Sequence, residues 1–275
     1  MRNKKIKLFI EEIVMLLVCI VFVIPLYYLV VSSVKTNMEI ATSPLSLSLP
    51  LNVENYKEAF LAMDFFRSLG NSVFVTAIAD FLIVLFSSMA AYTLARKRDT
   101  KIVKFSNWYL LLGFMVPVHT TMLPLFRIMS KIHLLNSLWG LIFLQCNGCV
   151  FGTILYRGFI KALPEDLEEA GRIDGAGTFK IFWKIVFPLL KPVTVTLVIF
   201  DTMAIWNDFI YNYLFLNSPS KTSLVMKVYY GMHKYELDWS IMMPTLVIAL
   251  LPMVIFYLVL QKHIIGGLTM GSLKF

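Results

Sequence analysis

The sequence predicts an all-α integral membrane protein crossing the bilayer with six helices. Composition is the first reason. Of 275 residues, 58% are hydrophobic and only 15% are charged, with a mean hydropathy of +0.74. A soluble domain carries about 25% charged residues, so this chain has too little polar surface to coat a globule in water. The second reason is a series of apolar runs, each near the roughly 20 residues a helix needs to cross the hydrocarbon. The third is that Lys and Arg gather just beyond those runs. The formal net charge of +8 therefore does not point to nucleic acid, which would need a basic patch on a folded soluble surface.

Taken in order, residues 1–12 form a short basic N-terminus. The first span, 13–34, carries no charge. It follows basic residues, as a signal peptide does, but it is too long and no small-residue cleavage site follows, so it reads as retained. Segment 35–69 is a long connection containing Pro44 and Pro50. It is read either as a plain connector or as a docking element. The second span, 70–95, is interrupted only by Asp80, and a short basic loop, 96–104, follows. The third and fourth spans, 105–126 and 132–156, are uncharged. The loop 161–191 is rich in both charge signs. The fifth span, 192–216, holds Asp201 and Asp208, and a loop at 217–238 leads to the uncharged sixth span, 239–261. A tail, 262–275, completes the chain. A spanning segment must satisfy its own backbone hydrogen bonds, which makes helices the expected form. Prolines at 25, 117, 124, 244 and 252 mark either tolerated kinks or moving, pathway-lining helices.

Orientation follows from the cations. With the N-terminus in the cytoplasm, the inside segments carry Arg2, Lys4, Lys5 and Lys7, then Arg96, Lys97, Arg98, Lys101 and Lys104. They continue with Arg157, Lys161, Arg172, Lys180, Lys184 and Lys191, and end with Lys262 and Lys274. That is most of the 25 Lys and Arg residues, so both termini are expected to be cytoplasmic, as is the 161–191 loop.

Several chemistries find no support. Cys146 and Cys149 read C-x-x-C without a second pair or a histidine cluster, and Cys19 also lies in an apolar run. All three read as small hydrophobes. Four dispersed histidines are too few for a metal-dependent membrane enzyme, and His119, next to Pro117, reads as a packing residue. No G-x-x-x-x-G-K-[ST] loop is present, so the chain does not hold ATP by that route.

The informative stretch is LPEDLEEAGRIDGAGTFKIFWKIVFPLLKP, residues 163–192. Pro164 suits a first helical turn, and the acids Glu165, Asp166, Glu168 and Glu169 favour a helix N-terminus. The helix is expected to run to about Asp174, where Gly175 supplies a stop. Thr178 is placed to cap a second helix. Phe179, Phe182, Trp183 and Val186 fall on one face of it at i, i+3, i+4, i+7. Pro188 and Pro192 mark the bend into the fifth span. Leu167, Ala170 and Gly171, beside Glu169, line one side of the first helix, where small residues let another surface come close. On physics alone the loop is either such a docking element or an ordinary solvated connector.

The run from Glu169 to Gly175, followed by Ile185 and Pro188, resembles the EAA motif of ABC importer permeases, E-A-A-x-x-x-G, nine residues, then I-x-L-P. It departs at Gly171 and Phe187, where alanine and leucine are usual. "NYKEAF" at 55–60, "NSVFVTA" at 71–77, "VPVHTTMLPLF" at 116–126, "WNDF" at 206–209 and "GGLTMGSLK" at 266–274 are similar to the carbohydrate-importer branch. The likeness covers nearly the whole chain and lies nearest the second permease of a maltose-type pair. That branch often ends in Lys-Gly, where this chain has Lys274-Phe275.

The resemblance implies a type I ABC importer permease fold in a bacterial or archaeal cell membrane. It implies a second homologous permease, two cytoplasmic ATPase subunits that bind the ATP, an extracytoplasmic solute-binding protein and a sugar as cargo. It casts Glu169, Ala170, Gly171, Asp174, Gly175 and Ala176 as the coupling helix and its elbow, seated in an ATPase cleft, with Ile185 and Pro188 as support. No cofactor of this chain's own and no catalytic or metal-binding residue is implied.

Within the fifth span, Asp201, Asp208 and Asn212 are spaced by seven and four, a single helical stripe with Trp206 and Asn207 beside it. An aspartate at the centre of a membrane helix costs about 2.5–3.5 kcal/mol, so it faces a cavity or a partner. The stripe is a candidate translocation pathway for a polyhydroxylated ring, or a set of interhelical hydrogen bonds. The reading from another class is an ion-coupled carrier or channel built on Asp80, Asp201 and Asp208. That reading leaves the 161–191 loop unexplained.

Overall fold

A computed structural model describes residues 2–97, 100–234 and 238–271. Arg98, Lys274 and Phe275 lie outside the described residues. All regular structure among the described residues is helical. The helices in chain order are α1 (Arg2–Ser32), α2 (Asn37–Thr42), α3 (Glu54–Ala62), α4 (Phe65–Arg96), α5 (Lys101–Met115), α6 (Met122–Lys131), α7 (Leu138–Gln145) and α8 (Gly148–Ala162). They continue with α9 (Asp166–Ile173), α10 (Thr178–Ile181), α11 (Phe187–Leu189), α12 (Lys191–Trp206), α13 (Ile210–Phe215), α14 (Leu224–Lys234) and α15 (Trp239–Gly271). Four helical stretches are long and apolar enough to cross a membrane: Lys7–Ser32, Phe65–Arg96, Leu138–Ala162 and Trp239–Lys262. Two further pairs are bent, by 92° after Met115 and by 74° after Leu189, giving up to six if each is one span.

Several helix bounds differ from the sequence expectation, each for a local reason. The run 105–126 is not one helix. Val116 is extended (φ −72°, ψ 119°), as a residue before proline tends to be, and a short 3₁₀ turn, Val118–Thr121, separates α5 from α6. The helix expected to begin at residue 132 begins at Leu138. His133 (φ 57°) and Asn136 (φ 52°) hold the left-handed backbone of a tight turn before it. The run is interrupted at Cys146 and Asn147, and α8 then continues past Tyr156 to Ala162, carrying Arg157 and Lys161 inside the helix. The 192–216 run breaks after Trp206, and α13 restarts at Ile210.

The chain divides into two compact units. The first holds residues 1–66 and 226–252. Here the long 35–69 connection is folded rather than loose. Thr36 and Glu39 form a capping box on α2. The fully buried Lys35 donates through Nζ to the Ser43 carbonyl at 2.6 Å, and Asn55 Nδ2 donates to the Lys35 carbonyl at 2.9 Å. Apolar side chains along α1 are exposed, as expected of a helix whose solvent is lipid.

The second unit, 67–225 and 253–275, contains the main core. Ile83 and Tyr92 of α4, Leu141 of α7, Tyr156 and Ile160 of α8, Leu197 and Ile205 of α12 and Phe215 of α13 belong to it. Its centre is a close three-helix contact. A Cβ on Gly152 would stand 2.7 Å from Ser87 Oγ of α4 and 3.1 Å from Leu197 Cδ2 of α12. One on Gly148, a turn earlier, would stand 2.8 Å from Ile83 Cδ1. Small residues four apart let membrane helices approach in this way.

Candidate functional site: the 163–192 hairpin

Local sequence builds the hairpin step by step. Asp166, Glu168 and Glu169 load the first turn of α9 with negative charge, which favours the exposed N–H groups there. At the other end Asp174 is the C-cap and Gly175 adopts φ +76°. The Ala176 N–H donates to the Gly171 carbonyl at 2.9 Å, and the Gly175 N–H to the Arg172 carbonyl at 3.0 Å. This is the Schellman pattern, in which glycine at the left-handed position lets the chain reverse without a Cβ penalty.

The return strand of the hairpin is not a plain helix. Gly177, not Thr178, is the N-cap of α10, and no side-chain cap forms. Phe182–Val186 is a π-helical turn, whose wider winding shifts the buried face. Ile181, Phe182 and Val186 are buried and Trp183 half-buried, whereas Phe179, expected on the same face, is exposed. The 74° bend follows, with Pro188 in the first turn of α11.

A clasp holds the hairpin to α4. Glu168 is 2% exposed. Its carboxylate accepts from Tyr92 Oη at 2.8 Å and from Arg96 Nε at 2.6 Å, and Arg172 Nη2 stands 3.8 Å away. Arg96 also lies 3.6 Å from Glu165. A buried charge of this kind is tolerable only when paired and hydrogen-bonded. Sequence reasoning singled out Glu169 and passed over Glu168, Tyr92 and Arg96. The available signal was the helical period, which puts Glu168, Gly171 and Arg172 on one side of α9.

The predicted coupling residues divide between two faces. Glu169, Ala170, Asp174 and Gly175 are exposed, as are Leu167 and Ile173, the latter 86% exposed. Gly171 is buried and Ala176 half-buried. The expected small-residue side of Leu167, Ala170 and Gly171 is therefore split. Gly171 faces its own hairpin, where a Cβ would meet Ile185 Cδ1 at 2.7 Å. That contact gives Ile185 its place against α9.

The expected stripe on the fifth span is also divided, because the helix breaks at Asn207. Before the break Asp201 is buried next to Gly148 of α8, and its neighbour Thr202 donates to Asp80 Oδ2 of α4 at 2.6 Å. After the break Asp208 accepts from Gln145 Nε2 of α7 at 3.0 Å and from Asn212 Nδ2 at 3.3 Å, and its Oδ1 takes the Tyr211 N–H at 3.4 Å. Asn207 is exposed and donates to the Met203 carbonyl of its own helix. Trp206 and Asn212 line a crevice of about 10 Å³, too small for a sugar ring. A neighbouring cavity of about 300 Å³ is lined by Thr121, Phe143, Asn147 and Tyr211 among others.

Comparison with known proteins locates this architecture. Residues 83–269 match the family described as binding-protein-dependent transport system inner membrane component. The chain is 33% identical over 276 residues to the probable starch degradation products transport system permease protein AmyC of Thermoanaerobacterium thermosulfurigenes, covering 100% of both chains. It is 34% identical over 255 residues to the melibiose/raffinose/stachyose import permease protein MelC of Bacillus subtilis (strain 168), covering 91% of each. Among solved structures, a chain of a bacterial ABC transporter that imports the acidic polysaccharide alginate superposes with a TM-score of 0.84 at 20% identity, over 95% of this chain and 98% of that one.

Proposed function

Because the chain belongs to the family of binding-protein-dependent transport system inner membrane components, we propose that it is the membrane-spanning permease subunit of an ATP-driven sugar importer. It works with a second permease, two ATPase subunits and an extracytoplasmic binding protein. The starch-product and melibiose/raffinose/stachyose permeases AmyC and MelC, which share about a third of their residues with this chain along nearly all its length, support a sugar as cargo. One observation carries the coupling role. The hairpin is fixed on one side by the Glu168 clasp and presents Glu169, Ala170, Ile173 and Asp174 on the other.

A handle of that shape can pass force only if its root is stiff. ATPase subunits closing around the exposed face of α9 move the hairpin, and the Glu168–Arg96–Tyr92 contacts carry the displacement into α4. The membrane helices then exchange inward- and outward-facing arrangements, a two-state equilibrium biased from the cytoplasmic side. ATP is bound and hydrolysed by the partner subunits, and this chain needs no cofactor of its own. The 300 Å³ cavity beside Asn147 and Tyr211 has room for a sugar ring and brings aromatic faces and polar groups together. Asp208 serves that path by tying α13 to α7 through Gln145.

The test is uptake by the assembled transporter in membranes. Glu169→Lys, which reverses an exposed charge, and Gly175→Pro, which forbids the left-handed φ, should each abolish uptake and sugar-stimulated ATP hydrolysis at normal membrane levels. Normal uptake in either variant refutes the coupling role. Solute movement by the chain reconstituted without ATPase subunits would favour the ion-coupled carrier instead.

A further inference from the structure

Helices α5 and α8 run antiparallel, with Phe114 near the end of one stacked on Phe151 near the start of the other, ring centroids 6.5 Å apart. At their opposite ends they leave a groove of about 210 Å³. One end of it is lined by Asn107, Arg157 and Lys161, and one turn further along the two helices it is lined by Leu110, Leu111 and Ile154. Two polar atoms here are buried without a hydrogen-bond partner: Arg157 Nε, a donor bearing positive charge, and Asn107 Oδ1, an acceptor. A buried charged donor left unmatched is costly, and both lie on one groove.

We propose that this groove binds the headgroup of an anionic phospholipid. Arg157 and Lys161, one turn apart on α8, hold the phosphate, and a headgroup hydroxyl donates to Asn107 Oδ1. The polarity gradient selects a lipid over a free anion. The cations stand at the helix ends, beside the Lys101 and Lys104 end of α5, while the leucines and Ile154 lie one turn deeper, where an acyl chain runs. Basic pockets between helices at the membrane boundary recognise lipid phosphates in this way.

The probe is phosphatidylglycerol, which has both the phosphate and free hydroxyls. The intact transporter is placed in phosphatidylcholine nanodiscs with a minor fraction of phosphatidylglycerol, and retained lipid is read by native mass spectrometry. Arg157→Gln with Lys161→Gln should lower retention about 30-fold, the loss of two near-surface cations at about 1 kcal/mol each. Arg157→Lys with Lys161→Arg should restore it. The unfolding temperature in pure phosphatidylcholine reports folding of the glutamine variant; if it falls, the Lys/Arg exchange decides. Three outcomes overturn the proposal. They are retention unchanged within threefold in the glutamine variant, displacement of the lipid by excess inorganic phosphate, and no more phosphatidylglycerol on the wild-type assembly than on the variant because the partner permease covers the groove.

Discussion

Replacing Glu168 by alanine should release α9 from α4. The carboxylate is 2% exposed and bonds Arg96 and Tyr92 at 2.6 and 2.8 Å. Removing one member of a buried ion pair costs about 3–5 kcal/mol, because the other charge is left uncompensated. Glu165, half exposed at 3.6 Å from Arg96, can recapture part of that, which places the loss near the lower end, about 3 kcal/mol. The remaining effects are smaller. Alanine gains a few tenths of a kcal/mol in helix propensity, and losing a first-turn acid costs about 0.3–1 kcal/mol. At 1.36 kcal/mol per tenfold, 3 kcal/mol is roughly a 150-fold change in local opening. Hydrogen exchange of the α9 amides, followed by mass spectrometry on the purified transporter, reads that opening directly. Exchange within α12 should stay as in wild type. The exposed neighbour provides the control, since Glu169→Ala should leave α9 exchange nearly unaltered while reducing uptake. The paired change Arg96→Met with Glu168→Met should recover most of the protection, because an apolar pair of similar volume leaves no orphaned charge. A rise of less than threefold in the Glu168→Ala protein would refute the clasp.

Two other outcomes follow from the packing and from the split stripe. Gly152→Ala puts a methyl 2.7 Å from Ser87 Oγ and 2.9 Å from Ser87 Cβ; overpacking of this kind costs about 1–3 kcal/mol, and Gly152→Ala together with Ser87→Gly should regain the lost unfolding temperature. Asp208→Ala strands Gln145 Nε2 and the start of α13, so it should lower thermal stability with sugar preference intact, whereas Tyr211→Ala should change which sugars compete for uptake.

Composition and the spacing of apolar runs make the helical membrane class readable, because a lipid solvent imposes length and polarity on the chain directly. Breaks within runs are less legible. Pro117 and Asn207 sit in runs still apolar enough to be read as single spans. Pro25, Pro244 and Pro252, by contrast, lie inside continuous helices, so residue type alone does not separate a kink from a stop. In the hairpin, the Gly175 elbow follows from a local backbone rule and is legible one residue at a time. The π turn at Phe182–Val186 is not, since a regular 3.6-residue period carries no signal of it. Glu168 was hidden by composition. It stands beside Glu169 as one of four similar acids, and only the tertiary approach of Arg96, 72 residues earlier, tells them apart.

The glycine seam of α8 limits how this protein can operate. With no space for one methyl group between Gly152 and its neighbours on α4 and α12, those three helices cannot slide or rotate past one another without unpacking. They form a single packed block, and the clasp on α4 lies on that block. If the chain gates as the importer permease proposed above, the movement falls to its joints: the corner after Met115 and the interruption between Trp206 and Ile210, where the chain is already free of continuous helix.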